Sequence, residues 1–277
     1  MANAFAHHPN TSCFPSAHAQ AIYVLFEEKL IYFPSRGFST TPGALGLRHD
    51  ELTLVTEDGE RIHAWFLPAD ATDPGLRYTV LMCHGNAGNI SDRLDRTLLM
   101  QVKLGTDVLL FDYRGFGKSS GSPTEQGTYE DARAAHRYLV RQRGLDARKI
   151  VLLGESLGAA VALDLALEVG AAGLVLEAPF TSIRDMAKEV YPFVPTSWLR
   201  THYDNLGKIP RLEIPLLVVH GTADPTVPLE QGSRLFDAAP EPKVFFEVEG
   251  AGHTDAYAVA PDRYWSTWRE FLSSLSY

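Results

Sequence analysis

Six apolar runs of six or seven residues punctuate the chain: YTVLMCH (78–84), DVLLFDY (107–113), KIVLLG (149–154), GLVLEA (173–178), IPLLVVH (214–220) and KVFFEVE (243–249). Each is short enough, and rich enough in β-branched and aromatic residues, to be a strand buried on both faces. Between and after them lie segments with helical spacing: RLDRTLLMQVKLG, TYEDARAAHRYLVRQRG, SLGAAVALDLALEVG, LEQGSRLFDAA and PDRYWSTWREFLSSL. Strand and helix in alternation imply βαβ units, hence a parallel sheet covered on both sides. Ahead of the first run, ELTLVTEDGERIHAWFLPA reads as two strands around the turn pair Asp58-Gly59, because glycine accepts the positive φ such turns need. The expected architecture is therefore α/β, with a mostly parallel eight-stranded sheet and helices on both faces.

A chain of 277 residues fits one such domain, which buries roughly three quarters of the surface its unfolded chain exposes. No internal repeat or linker divides it. We read residues 1–28 as an N-terminal arm with an amphipathic helix and residues 29–277 as a single domain. The long interruption TSIRDMAKEVYPFVPTSWLRTHYDNLGKIPRLE, at about 181–213, is read as a small cap over the strand ends; a plain connecting helix and loop is the other reading.

A net charge of −9 without a dense Lys/Arg run leaves no footprint for nucleic acid. The two cysteines, Cys13 and Cys83, make no disulfide framework and fit a reducing, cytoplasmic setting. The first residues show no basic leader followed by an apolar run. AIYVLFEEKLIYF (21–33) is apolar, but Glu27, Glu28 and Lys29 break it well short of the roughly 20 residues that span a bilayer. Packing on the domain is the first reading of that helix, and a weak peripheral membrane contact the second.

The chemistry concentrates at the ends of the strand runs. Gly154-Glu155-Ser156-Leu157-Gly158 lies between a strand and a helix, the setting in which a sharp turn lifts a serine hydroxyl above a sheet. A serine there can also be a simple helix cap, but glycines on both flanks favour a nucleophile. Serine is a weak nucleophile near neutral pH and needs a base. Of the ten histidines, His253 is the candidate, on a Gly-rich loop between the last strand and the closing helix. Asp224, in HGTADPTVP after the IPLLVVH strand, is the candidate partner that would orient the imidazole, with Asp255 and Asp185 as weaker alternatives. The loop His84-Gly85-Asn86-Ala87-Gly88-Asn89 follows another strand. The backbone N–H groups of Asn86 and of Leu157 are assigned as donors to a developing oxyanion. Phe180, Tyr191, Phe193 and Trp198 are candidates to line an acyl groove, or else to be core of the cap. His7, His8 and His18 have no partner at metal-ligand spacing, and no GxGxxG, P-loop or Cys/His cluster occurs, so neither cofactor nor metal is implied.

Taken together, KLIYFPSR (29–36), HGNAGNISDRL (84–94), FDYRGFGKSSG (111–121), GESLGAAVA (154–162), APFTSI (178–183), HGTADPTVP (220–228) and GAGHTD (250–255) resemble the α/β-hydrolase family. The closer likeness is to its branch of single-domain α/β-hydrolase domain-containing proteins with an HGNAGN oxyanion loop. That resemblance implies the α/β-hydrolase fold, Ser156, Asp224 and His253 at the catalytic positions, and Asn86 at the oxyanion-loop position. It also implies that Asp112, Tyr113, Arg114 and Gly115 fix a loop and take no part in catalysis. Members often carry a membrane-spanning helix before the KLIYFPSR-like segment, where this chain is too polar, and a second glycine after GESLG, where it has Ala159.

The expected activity is hydrolysis of carboxylic esters through an acyl-enzyme, on a small-molecule or acyl ester substrate. Alternatives are an acyl-protein thioesterase, a peptidase and, last, a non-catalytic binding module, against which the intact Ser, Asp, His order argues. The sequence does not fix acyl length, leaving group or oligomeric state.

Overall fold

The computed structural model describes residues 27–69, 78–190 and 196–275, apart from the side chain of Trp198. Most of the N-terminal arm, Cys13 and the candidate groove residues Tyr191 and Phe193 lie outside the described residues. Eight strands form one sheet: β1 (Asp50–Val55), β2 (Arg61–Leu67), β3 (Thr79–Cys83), β4 (Asp107–Phe111), β5 (Ile150–Glu155), β6 (Gly173–Glu177), β7 (Leu216–Gly221) and β8 (Lys243–Val248). Their spatial order is β8-β7-β6-β5-β3-β4-β2-β1. β1 and β2 pair antiparallel, Leu52 opposite Ala64, and β2 is antiparallel to β4; the remaining pairings are parallel.

The parallel strands alternate between two cores. Leu81 and Cys83 of β3 and Ile150 and Leu152 of β5 face one, while Val80, Met82, Val151 and Leu153 face the other. Helices α2 (Glu125–Arg137), α3 (Leu157–Ala166) and α5 (Leu229–Ala238) cover the first core with Tyr129, Ala160, Leu163 and Leu235. On the opposite face, α1 (Leu94–Leu104) and α6 (Pro261–Ser274) supply Leu94, Met100, Trp265, Trp268 and Phe271. Burial on both faces explains why β3 to β7 read as unbroken apolar runs; β8 lies at the sheet edge with Val244 and Glu247 exposed, so the expectation of a strand buried on both faces fails there.

Element boundaries moved in one instructive place. The helix expected from Thr128 begins at Glu125, because the Thr124 side chain accepts from the Gly127 N–H and caps it there. It continues into a π-helical turn over Tyr138–Gln142. In the segment read as a cap, α4 (Ile183–Val190) is followed by short helical turns at Thr196–Trp198, Asn205–Lys208 and Ile209–Arg211. Residues 27–31 are helical and run across the boundary drawn after residue 28. From there the chain crosses the top of the sheet, and Phe33–Pro34 pairs in parallel with Ala87–Gly88. No helix among the described residues is long and apolar enough to cross a membrane.

Candidate active site

Ser156, between β5 and α3, has a backbone conformation, φ 54° and ψ −114°, that a side-chain-bearing residue rarely adopts. The strain is tolerated because its neighbours in the motif leave room. A Cβ on Gly154 would come within 2.5 Å of the Ala159 Cα, and one on Gly158 within 2.5 Å of the Cys83 carbonyl carbon. The turn is pinned by Ser156 N–H to Glu177 O at 2.9 Å and by Ala159 N–H to Ser156 O at 2.9 Å. Ala159 is buried in α3.

The structure brings the three separated residues together. Ser156 Oγ lies 2.9 Å from His253 Nε2, and His253 Nδ1 lies 2.8 Å from Asp224 Oδ2. An ionised carboxylate only accepts, so Nδ1 carries the imidazole proton and Nε2 is free to accept from the serine hydroxyl. Gly221 makes the meeting possible: its missing Cβ lets Ala251 and Gly252, just before His253, pack against the end of β7. The Ala223 N–H bonds Ala251 O at 2.9 Å and locks the two loops.

The Asp224 side chain is buried, which by itself would raise its pKa. Hydrogen bonds from His220 and His253 and from the backbone N–H groups of Val227 and Thr226 more than offset burial and hold the carboxyl well below the usual range. The alternatives sit elsewhere. Asp255 accepts from the Gly252 N–H at 2.7 Å, and Asp185 is taken up by Thr181 and Lys188.

Asn86 and Leu157 flank Ser156 at a cavity of about 300 Å³ whose other walls include Ile31, Phe180, Ile183 and Met186. As the first residue of α3, Leu157 has no intrahelical acceptor for its N–H. The Asn86 N–H has no acceptor among the described residues. Two N–H donors beside a serine Oγ, at an apolar cavity, can bind an oxyanion formed on an acyl carbon. Phe180 lines the cavity, with the apolar side of α4, and is also buried in the first core, so both readings of it meet in one side chain.

Asp112, Tyr113 and Arg114 hold loops. Asp112 Oδ1 accepts from the Ile90 N–H at 2.9 Å, Tyr113 OH donates to His84 O at 2.9 Å, and Arg114 bonds both Asp131 and Asp58.

A buried ionic group under the serine was not read from the sequence. Glu155 meets Arg93 at 3.0 Å and Arg96 at 3.2 Å, and Arg96 also pairs with Glu177, whose carboxylate accepts from Tyr264 OH at 2.5 Å. Burial raises both carboxylates; for Glu155 the two guanidiniums win and hold it low, whereas Glu177 stays raised. The signal available was a charge inside each of two apolar strands and an arginine on the apolar side of α1. Their pairing, across strands and helices distant in sequence, was not. His220 was missed likewise: its Nε2 lies 2.9 Å from Val227 O and 3.5 Å from Asp224 Oδ2, steadying the aspartate.

With this geometry in place, comparison with known proteins is direct. Residues 78–205 match the family model described as alpha/beta hydrolase fold. An uncharacterized Mycobacterium tuberculosis protein, Rv2307c, is 41% identical over 230 residues, covering 83% of this chain and 81% of its own length. Alpha/beta hydrolase domain-containing protein WAV2 of Arabidopsis thaliana is 34% identical, covering 91% of this chain and 89% of its own. Human alpha/beta hydrolase domain-containing protein 17B is 31% identical, covering 72% and 67%. Among solved structures, the Pyrococcus furiosus esterase Pf2001 superposes with a TM-score of 0.72 at 22% identity, over 88% of this chain and 99% of that one. The chain belongs to the α/β-hydrolase family.

Proposed function

We propose that the protein is a serine hydrolase that cleaves carboxylic esters through an acyl-enzyme intermediate, with Ser156 as nucleophile, His253 as general base and Asp224 orienting the base. One observation carries this reading: the continuous line Asp224 Oδ2, His253 Nδ1, His253 Nε2, Ser156 Oγ, with steps of 2.8 and 2.9 Å, opening on an apolar cavity. In the first half-reaction His253 takes the hydroxyl proton as Ser156 Oγ attacks the acyl carbon, and the imidazolium is stabilised by Asp224. The N–H groups of Asn86 and Leu157 receive the negative charge on the acyl oxygen. His253 then returns the proton to the leaving alkoxide. In the second half-reaction it activates a water that releases the acid and regenerates Ser156.

The apolar walls favour a hydrocarbon acyl group. They say nothing of the leaving group, so a thioester is an equally good substrate for the same attack. The test is hydrolysis of p-nitrophenyl esters graded from acetate to palmitate, alongside an acyl-cysteine thioester and fluorophosphonate labelling. Native protein is expected to label and turn over, with both lost in Ser156→Ala by about 10⁴-fold or more. Turnover retained in that variant would sink the assignment.

A further inference from the structure

Residues 27–35 have no part in the chemistry above, yet they are fastened to the loop that carries the Asn86 N–H. The Asn86 Nδ2 donates to Ile31 O at 2.7 Å, and the Phe33 N–H donates to Asn86 O at 2.8 Å. Ser35 N–H bonds Gly88 O at 2.9 Å, and Asn89 Nδ2 reaches Ser35 O and Gly37 O. At the other end, the buried Glu27 carboxylate accepts from the backbone N–H groups of Arg200 and Thr201, and Tyr32 OH meets Tyr203 OH at 2.8 Å. The same residues face the cavity: Leu30, Ile31 and Phe33 line it together with Ser156 and, from α4, Met186 and Val190. Leu30 and Phe33 are 40% and 54% exposed, so they serve the fold little where they stand.

We propose that residues 27–35 form a strap belonging to the active site, in which Leu30, Ile31 and Phe33 wall the binding site for a hydrocarbon acyl chain while the backbone sets the position of the Asn86 N–H. The proposal rests on the ester-hydrolase reading and adds a specificity determinant to it. An acyl chain laid along the strap buries Leu30 and Phe33 and is in contact with an element bonded to both the side chain and the carbonyl of Asn86. Contact remote from the reacting carbon then contributes to the transition state as well as to binding. An acetyl group, with a single methyl, has little to place there. Turnover rate therefore rises along the acyl series, beyond any fall in KM.

The test compares native protein, Phe33→Ala, Leu30→Ala and Phe33→Leu on p-nitrophenyl acetate and octanoate. For each alanine variant the kcat/KM for octanoate is expected to fall about tenfold further than that for acetate, the worth of about two buried methylenes, and Phe33→Leu to recover most of it. Both side chains are largely outside the core, so each variant is checked for an unchanged Tm, and either suffices if the other folds poorly. Asn86→Asp keeps the backbone N–H but puts an acceptor against Ile31 O, and lowers kcat on both esters about 10²-fold, as loss of one oxyanion donor does. Equal losses on the two esters in the alanine variants, no loss on either in those variants, or an unaffected kcat in Asn86→Asp overturns the strap. If native protein turns over neither ester and Ser156 escapes fluorophosphonate, the hydrolase reading itself fails and the strap falls with it.

Discussion

Asp224 divides its work between two oxygens. Oδ1 accepts from the N–H groups of Thr226 at 2.7 Å and Val227 at 2.9 Å, and Oδ2 accepts from His253. In Asp224→Asn the amide oxygen can keep both backbone bonds, which leaves the NH2 facing His253 and forces the proton of the imidazole onto Nε2. The fold stays and the base is turned the wrong way, so kcat is expected to fall about 10⁴-fold with KM and Tm little changed. Activity within tenfold of native would count against Asp224 as the orienting carboxylate. Gly158 tests the turn instead of the base. A methyl there overlaps the Cys83 carbonyl, a backbone group that cannot swing aside. Gly158→Ala is expected to cost about 1–3 kcal/mol in denaturant unfolding and to abolish fluorophosphonate labelling of Ser156. Full labelling would mean α3 moves off β3 without disturbing the serine.

Between elements, the ionic group formed by Glu155, Glu177, Arg93, Arg96 and Tyr264 joins the ends of β5 and β6 to α1 and α6. Two carboxylates face two guanidiniums, and Arg96 contacts both acids. Arg96→Met leaves Glu177 without its guanidinium in a buried site, and about 3–5 kcal/mol of stability is expected to go with it in urea unfolding. A loss under about 1 kcal/mol would show that the group is wet or redundant. This cluster marks the limit of what the sequence disclosed. β3 through β7 were legible because burial on both faces leaves an unbroken apolar run, β8 because Val244, Phe245, Phe246 and Val248 crowd one short edge strand, and the elbow because its two glycines fall in one short motif between strand and helix, although the Cys83 carbonyl that excludes a side chain at Gly158 is distant in sequence. Glu155 lay in plain view inside GESLG, but its partners are set by the packing of α1 and α6, which no local pattern encodes. The strap was half legible: KLIYFPSR stood out as a segment of the family, whereas its bonds to Asn86 depend on Phe33–Pro34 pairing with Ala87–Gly88, a contact over 50 residues apart that needs the finished sheet.

For the molecule as a whole, acid stability carries a signature of His84. Its ring is sealed between Tyr113 and Phe116, with Nδ1 2.7 Å from Gly85 O and Nε2 without a hydrogen-bond partner among the described residues, 4.0 Å from Asp112 Oδ1. Burial pushes its pKa from 6.5 down to about 4, and the Asp112 carboxylate only partly opposes this. The unfolded chain therefore takes up a proton at a higher pH than the folded one. Stability contributed by the neutral ring is full above pH 6.5 and is lost as pH falls from 6.5 towards 4, with a slope approaching about 1.4 kcal/mol per pH unit and about 3 kcal/mol in all. Other histidines and the carboxylates titrate in the same range, so the unfolding free energy of the native protein alone cannot isolate this share. The difference between native protein and His84→Asn can, because the groups common to both cancel and the asparagine NH2 takes over the donor to Gly85 O. Urea unfolding at intervals from pH 7.5 to 4.5 is expected to show the native advantage shrinking steadily below pH 6.5. A difference that stays level across that range would mean His84 titrates alike in the folded and unfolded chain, and one that grows as pH falls through 6.5 would mean the folded ring holds its proton against Asp112; either result overturns the neutral buried ring.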